Sequence, residues 1–351
     1  MDRELAYYHQ LGQRVGGVTF VTYGGQDDAE LATTLEEDVS VLNNRWSYSP
    51  RWFGLFAGLH YRKELRQVSI IKTNQLLGAG AAILAKALSG ARLVVRCGYV
   101  HSLVIERNRT GTLKHRMRVW LEEWAACRAA ERVMVSNHAD ADFLIQKYGC
   151  PLRKISIIPN FVQTDLFSPK PAEVKRSGLV GYVGRLEQEK NLSALIDAAS
   201  KVRGITVRII GSGTLQEELE TQARDANVRV EFLGNVQNPL LPTLLRECEV
   251  FVFPSLFEGH PKALLEAMAC GLPVVTTPVE GIRSVIQHGQ NGYLCDNTTA
   301  DAIRCGLEEV MSSAELRQKL GRGARRYVVE NLSIEKVLAK ELDVYQQLGF
   351  L

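Results

Sequence analysis

Two carboxylates eight residues apart, Glu258 and Glu266, flank an unusual turn made of Gly259, His260, Pro261 and Lys262. Pro261 suits the first position of a helix, where a missing N–H costs nothing. The run KALLEAMAC then reads as a helix that Gly271 and Pro273 stop. A helix start behind a glycine turn presents backbone N–H groups and a positive dipole end, which suits anions such as phosphates. Carboxylates beside such a place repel a phosphate, so their own partners would be hydroxyl groups, as on a ribose and a sugar. The spacing points to a sugar nucleotide. Each residue also has a plainer reading: Glu258 as a charge complementing the helix start, His260 as a turn filler. Glu266 stands among Leu264, Leu265 and Met268, where a carboxylate needs a partner or a ligand.

Three further stretches carry chemistry. In GYVGRLEQEKN, Arg185 and Lys190 leave the carboxyl end of a buried strand. Arg offers a planar fork and Lys a compact charge, so together with the helix start they could neutralise a diphosphate. A solvated loop mixing these charges with Glu187 and Glu189 fits equally well. In IIGSGTLQEEL, Gly211 and Gly213 let backbone approach a ligand or simply close a tight turn; the third glycine of a dinucleotide fingerprint is absent. In RCGYVHS, a strand ends with Arg96, Tyr99 and His101. His101 would hydrogen-bond a sugar or an acceptor, or serve the core. The basic run RNRTGTLKHRMR would guide an anionic acceptor or form a solvated helix face.

The elements that must hold these residues alternate. Strand patterns fall at 18–23, 68–73, 92–97, 132–137 and 155–159, then at 179–184, 205–210, 228–234, 250–254 and 273–277. Helical patterns lie between them. This alternation predicts parallel sheets covered on both faces, in two doubly wound α/β domains facing a cleft. A proline-bearing stretch at 160–177 reads as the linker, giving domains 1–165 and 166–332. The amphipathic helix 333–348 would pack back on the first. The chain opens on a helical pattern where such a domain begins with a strand, so the first strand of the N-terminal domain is expected to be missing.

With 351 residues and a net charge of +3, two domains fit and nucleic acid is a poor partner. Residues 1–165 carry 21 Lys and Arg against 16 Asp and Glu, a mild excess that favours an anionic acceptor or a membrane surface. Seven scattered cysteines without CxxC spacing indicate reduced thiols and no zinc site. No apolar run approaches the ~20 residues of a membrane span. A cytoplasmic protein is expected, and any contact with the membrane would be peripheral, at its inner face.

GRLEQEKN, IIGSGTLQEEL, FLGNV, VFVFPSLFEGHPKALLEAMACGLPVVTT and EGIRSVIQHGQNGYLC together resemble retaining glycosyltransferases of family 4, with the GT-B architecture. The resemblance covers most of 178–296; IPNFVQTDLFSP is similar to the family's interdomain segment, and the first half matches loosely. It implies that Arg185 and Lys190 bind the diphosphate of a UDP- or GDP-sugar, Glu266 the ribose, and Glu258 the transferred sugar. The backbone of His260, Pro261, Lys262, Ala263 and Leu264 would hold sugar and phosphate, Gly211 would lie at the donor, and the turn at Asn235 and Val236 would meet the base. His101 would lie at the reacting sugar, making it and Glu258 the catalytic pair. No metal or other cofactor is implied, and the acceptor would be a glycan, a lipid-linked sugar or a small molecule. A nucleotide-sugar-binding protein of weak or partner-dependent activity, with an incomplete acceptor domain, is the alternative. A nicotinamide-dependent dehydrogenase lacks its G-x-G-x-x-G, and a nucleotide epimerase accounts less well for Glu258 and Glu266.

Overall fold

The computed structural model describes residues 2–25, 28, 38–108, 111–170 and 175–350. It divides into two compact units, Met1–Pro159 with Leu338–Leu351, and Asn160–Val337. The division falls before the expected 165/166 boundary for a physical reason. Val162 N–H donates to the Leu332 carbonyl, and Arg325 donates to the carbonyls of Thr164 and Phe167, which ties this segment to the second unit. Residues 171–174 of the expected linker, and Arg109 and Thr110 of the basic run, lie outside the described residues.

The first unit runs α1 (Asp2–Val15), β1 (Val18–Val21), β2 (Val39–Leu42), α2 (Pro50–His60), β3 (Ile70–Thr73), α3 (Gly80–Ser89), β4 (Arg92–Cys97), α4 (His101–Asn108), α5 (Leu113–Ala129), β5 (Arg132–Val135), α6 (His138–Tyr148) and β6 (Ile155–Ile157). All its strand pairs are parallel, but they form two sheets: β1-β2, and β3-β4-β5-β6. Among the described residues the first element is α1, and β1 pairs with β2 alone and β3 with β4 alone. Burial follows from this. In β4, Leu93, Val94 and Val95 are fully buried, whereas β1 alternates between half-buried and exposed and β3 is half-buried throughout. β2 has no counterpart among the strand patterns; α2 runs unbroken through Gly54 and Gly58, and His101 opens a helix where a strand-end loop was expected.

The second unit runs β7 (Leu179–Val183), α7 (Leu192–Ser200), β8 (Thr206–Ile210), α8 (Gln216–Asp225), β9 (Val230–Phe232), α9 (Leu241–Arg246), β10 (Val250–Phe253), α10 (Lys262–Ala269), β11 (Val274–Thr276), α11 (Glu280–Arg283), β12 (Tyr293–Leu294), α12 (Ala300–Ser312) and α13 (Ala314–Leu332). Its single parallel sheet has the order β12-β11-β10-β7-β8-β9. Every residue of β7 and β10 is buried, as strands covered on both faces must be. Successive strands step outward from β7 to β9, then return to β10 on β7's other side. β7 and β10 therefore flank the switch point, where the loops after neighbouring strands part and a ligand can enter. α14 (Ile334–Gln347) leads the chain back, and its residues from Leu338 onward belong to the first unit.

Candidate functional site

The switch point of the second sheet collects most of the residues singled out by type and spacing. After β7 the chain passes Gly184, Arg185 and a 3₁₀ turn at Gln188–Lys190. After β10 it passes Pro254, Ser255 and the turn to α10. Lys190 Nζ lies 2.6 Å from Glu258 Oε1, both side chains largely buried. The Ser255 hydroxyl donates to the same carboxylate oxygen at 2.8 Å. Three hydrogen bonds to backbone carbonyls fasten the loops together: Leu256 N–H donates to the Glu189 carbonyl at 2.8 Å, and Asn191 Nδ2 donates to the carbonyls of Pro254 and Thr298. Asn191 takes a left-handed conformation at φ 56°, which Asn tolerates better than most residues. Thr277 completes the frame by donating its hydroxyl to the Ser255 carbonyl at 2.5 Å.

Arg185 is bound more loosely. Its guanidinium meets Glu189 at 2.9 Å, but its side chain is 72% exposed. A pair that exposed is worth at most about 1 kcal/mol, so an incoming anion could take Arg185 at little cost. Beneath it, Tyr182 donates its hydroxyl to the Arg185 carbonyl at 3.1 Å. Burial, and then the carboxylates Glu258 and Glu189, push the Tyr182 phenol far up, so it stays a neutral donor.

Glycines let the loops crowd. Gly184 N–H donates to the Ile210 carbonyl, and Gly211 N–H to the Gly234 carbonyl. Gly211 has φ +137°, and a Cβ there would stand 2.0 Å from the Gly184 oxygen. The carboxyl ends of β7, β8 and β9 are thus stacked backbone on backbone, with Asn235 exposed just beyond and Val236 packed against the core. Gly281 in α11 does the same for the acidic turn: its Cβ would meet the Glu258 and Gly259 oxygens at 2.2 and 2.1 Å.

Pro261 is the residue before α10 and not its first helical residue. Its ψ of 107° is extended, so the helix begins at Lys262, and no side chain caps it. Ala263 and Leu264 complete the first turn. His260 is buried and anchored by Asn160, which donates its N–H to Nδ1 at 3.3 Å and its side chain to the His260 carbonyl at 2.7 Å. Glu266 is buried in the middle of α10 between Leu265 and Ala267. Asn160, Asn191, Ser255, Thr277 and Gly281 escaped the sequence reading. Only Asn191 left a legible sign, an Asn ahead of a helix, and the others act through loop geometry.

His101 lies in the first unit, at the carboxyl end of β4. It opens α4, where its N–H donates to Glu123 Oε1 at 2.9 Å. Glu123 is fully buried and also accepts from Ser102 N–H and the Tyr148 hydroxyl. His101 Nδ1 is buried without a hydrogen-bond partner, whereas nearly all buried polar atoms have one. Its neighbour Arg96 has another role. It donates to the Pro159 carbonyl and lies 3.8 Å from Glu341, inside the core of the first unit.

Two parallel α/β units, the second with glycine-stacked loops at its switch point, have the architecture of GT-B glycosyltransferases. Each half of the chain belongs to a glycosyltransferase domain family: residues 7–166 match the model for Glycosyltransferase Family 4, and residues 163–327 that for Glycosyl transferases group 1. Among curated relatives, the UDP-Gal:alpha-D-GlcNAc-diphosphoundecaprenol alpha-1,3-galactosyltransferase of Escherichia coli is 28% identical over 75% of this chain and 71% of its own length. A Mycobacterium tuberculosis glycogen synthase is 28% identical over 64% of this chain, which spans only 56% of that enzyme. Anabaena HepE, solved in complex with UDP, superposes with a TM-score of 0.81 at 18% identity over 99% of this chain and 94% of its own. That last likeness concerns the fold.

Proposed function

We propose that this protein moves a sugar from a UDP- or GDP-sugar to a glycan, lipid-linked or small-molecule acceptor, with retention of configuration. The Lys190–Glu258 pair at the β7/β10 switch point carries this reading. A cation and a carboxylate that neutralise one another in the free protein can part to serve the two ends of one ligand. Lys190 and Arg185 take the diphosphate at the start of α10, and Glu258 turns to the sugar hydroxyls. Glu266 takes the ribose, the backbone of His260–Leu264 holds sugar and phosphate, Gly211 leaves room for the donor, and Asn235 and Val236 meet the base. His101 serves the reacting sugar through its ring nitrogen.

The anomeric C–O bond breaks and its electron pair goes to the leaving phosphate oxygen. Lys190, Arg185 and the α10 dipole stabilise that charge. The acceptor oxygen bonds to the anomeric carbon on the same face, and its proton passes to the departing phosphate oxygen. No metal enters this scheme, and turnover is expected to survive EDTA. The relatives support the donor class by name: the Escherichia coli enzyme uses UDP-Gal, and HepE has been solved with UDP-glucose. The same Escherichia coli name supports a lipid-linked acceptor, and with it a cytoplasmic protein working at the membrane periphery.

The test is a panel of UDP- and GDP-sugars, read first by thermal shift and then by transfer. A ligand that binds only the folded form raises Tm, and the product's anomeric proton coupling reports its configuration. An inverted product would overturn retention. A donor-induced shift with no transfer to any acceptor would leave the weak or partner-dependent binding protein as the better description.

A further inference from the structure

We propose that the outward sides of α5 and α2 form a docking surface for an anionic phospholipid membrane. α5 begins at Thr112, whose hydroxyl caps the helix by accepting from His115 N–H. From Leu113 to Arg118 every residue is exposed; the first buried one is Val119. A helical segment that buries nothing against its own protein gains little from packing. Yet Leu113 is 78% exposed and Met117 60%, with Trp120 and Leu121 exposed as well. Their steps of four, three and one residue put them on one ridge. Lys114, Arg116 and Arg118 border it, and the acidic Glu122 pairs with Arg118.

α2 repeats the design. Trp52, at 58% exposure, stands with Leu55 and Leu59 on the side opposite the buried Phe53 and Ala57. Arg51 precedes them, and Arg62 and Lys63 follow. Both helices pack against α3, whose Leu84 is exposed too. Exposed apolar side chains grouped on one ridge mark an interaction surface, and the basic border selects an anionic partner. They match the pattern of helices that lie in a membrane interface, with Trp and Leu among the acyl chains and Lys and Arg at anionic headgroups. Among the described residues no helix is long and apolar enough to cross a membrane, so the contact is one of lying on the surface. It uses the first unit alone and does not depend on the donor site.

The experiment is co-sedimentation of the full chain with vesicles of 70% phosphatidylcholine and 30% phosphatidylglycerol, against pure phosphatidylcholine. Binding to the anionic vesicles should be at least about tenfold stronger and should weaken in 1 M salt. The double variant Lys114→Glu, Arg116→Glu should weaken it by about fivefold or more per charge. Met117→Ser with Leu121→Ser, and separately Trp52→Ser, should each release the protein while Tm stays unchanged. No binding to anionic vesicles, or equal binding by all variants, overturns the proposal. So does a dimer in light scattering that the Met117/Leu121 variant dissolves, since a second copy would then cover the ridge. Sedimentation reads no turnover, so an inactive protein that binds vesicles and an active one that ignores them are told apart.

Discussion

Lys190 is held by a carboxylate it must release. In the free protein the pair with Glu258 keeps two largely buried charges neutral, and Ser255 holds the carboxylate in place. Removing one partner leaves the other charge uncompensated. Lys190→Ala should therefore do two things: lower kcat by about a hundred- to a thousandfold, the range for losing one leaving-charge donor, and lower Tm. Steady-state kinetics with the best donor reads the first; unchanged kcat would remove Lys190 from the leaving-group role. Ser255→Ala keeps the pair but frees the carboxylate to rotate. It should raise KM for the donor severalfold while kcat falls less than in Lys190→Ala, and an effect confined to Tm would reduce Ser255 to a structural part.

At the scale of elements, the site depends on loops that can touch. A Cβ at position 281 would press on the Glu258 and Gly259 carbonyls, and α11 cannot retreat because Ile282 is fully buried. Gly281→Ala should cost about 1–3 kcal/mol and also shrink the Tm gain from nucleotide sugar. A normal gain would show that the acidic turn is free to move. The strands and helices that carry the site were legible because buried parallel strands are continuous apolar runs: β4, β7 and β10 stand within a residue of their patterns. Glu258 and Lys190 stood out by their places after buried strands, and the structure brings the two together at 2.6 Å. Helix α2 was not legible, since its glycines and aromatics mask any polar face, and neither was the clamp by Asn191. That clamp comes from φ and from two carbonyls distant in sequence, which no local pattern records. Pro261 misled by one position, because a proline fits before a helix as readily as inside its first turn.

At the scale of the molecule, a buried carboxylate helps to fasten the C-terminal segment to the first unit, beside the buried Val344, Tyr345 and Leu348. Glu341 in α14 is fully buried. It accepts from Lys72 Nζ at 2.5 Å, from the Tyr7 hydroxyl at 2.6 Å and from the Tyr345 hydroxyl at 2.5 Å, with Arg96 at 3.8 Å. Burial would raise its pKa, but the Lys72 charge and these three donors outweigh it and pull the carboxyl from 4.5 down to about 2. A depressed folded-state pKa means the unfolded chain binds the proton more readily. The stabilisation is then complete above pH 4.5 and drains away as pH falls from there toward 2. At 1.36 kcal/mol per unit this amounts to ~3 kcal/mol. Glu341→Gln strands Lys72 and Arg96 without their counter-charge, so it should cost about 3–5 kcal/mol at pH 7. It should also flatten the acid dependence, because the titrating group is gone. Urea melts of both proteins at pH 7, 5 and 3 give the comparison. The two curves should converge toward pH 3 as the wild type loses what the variant never had; parallel curves would mean that the anchor lies elsewhere in α14.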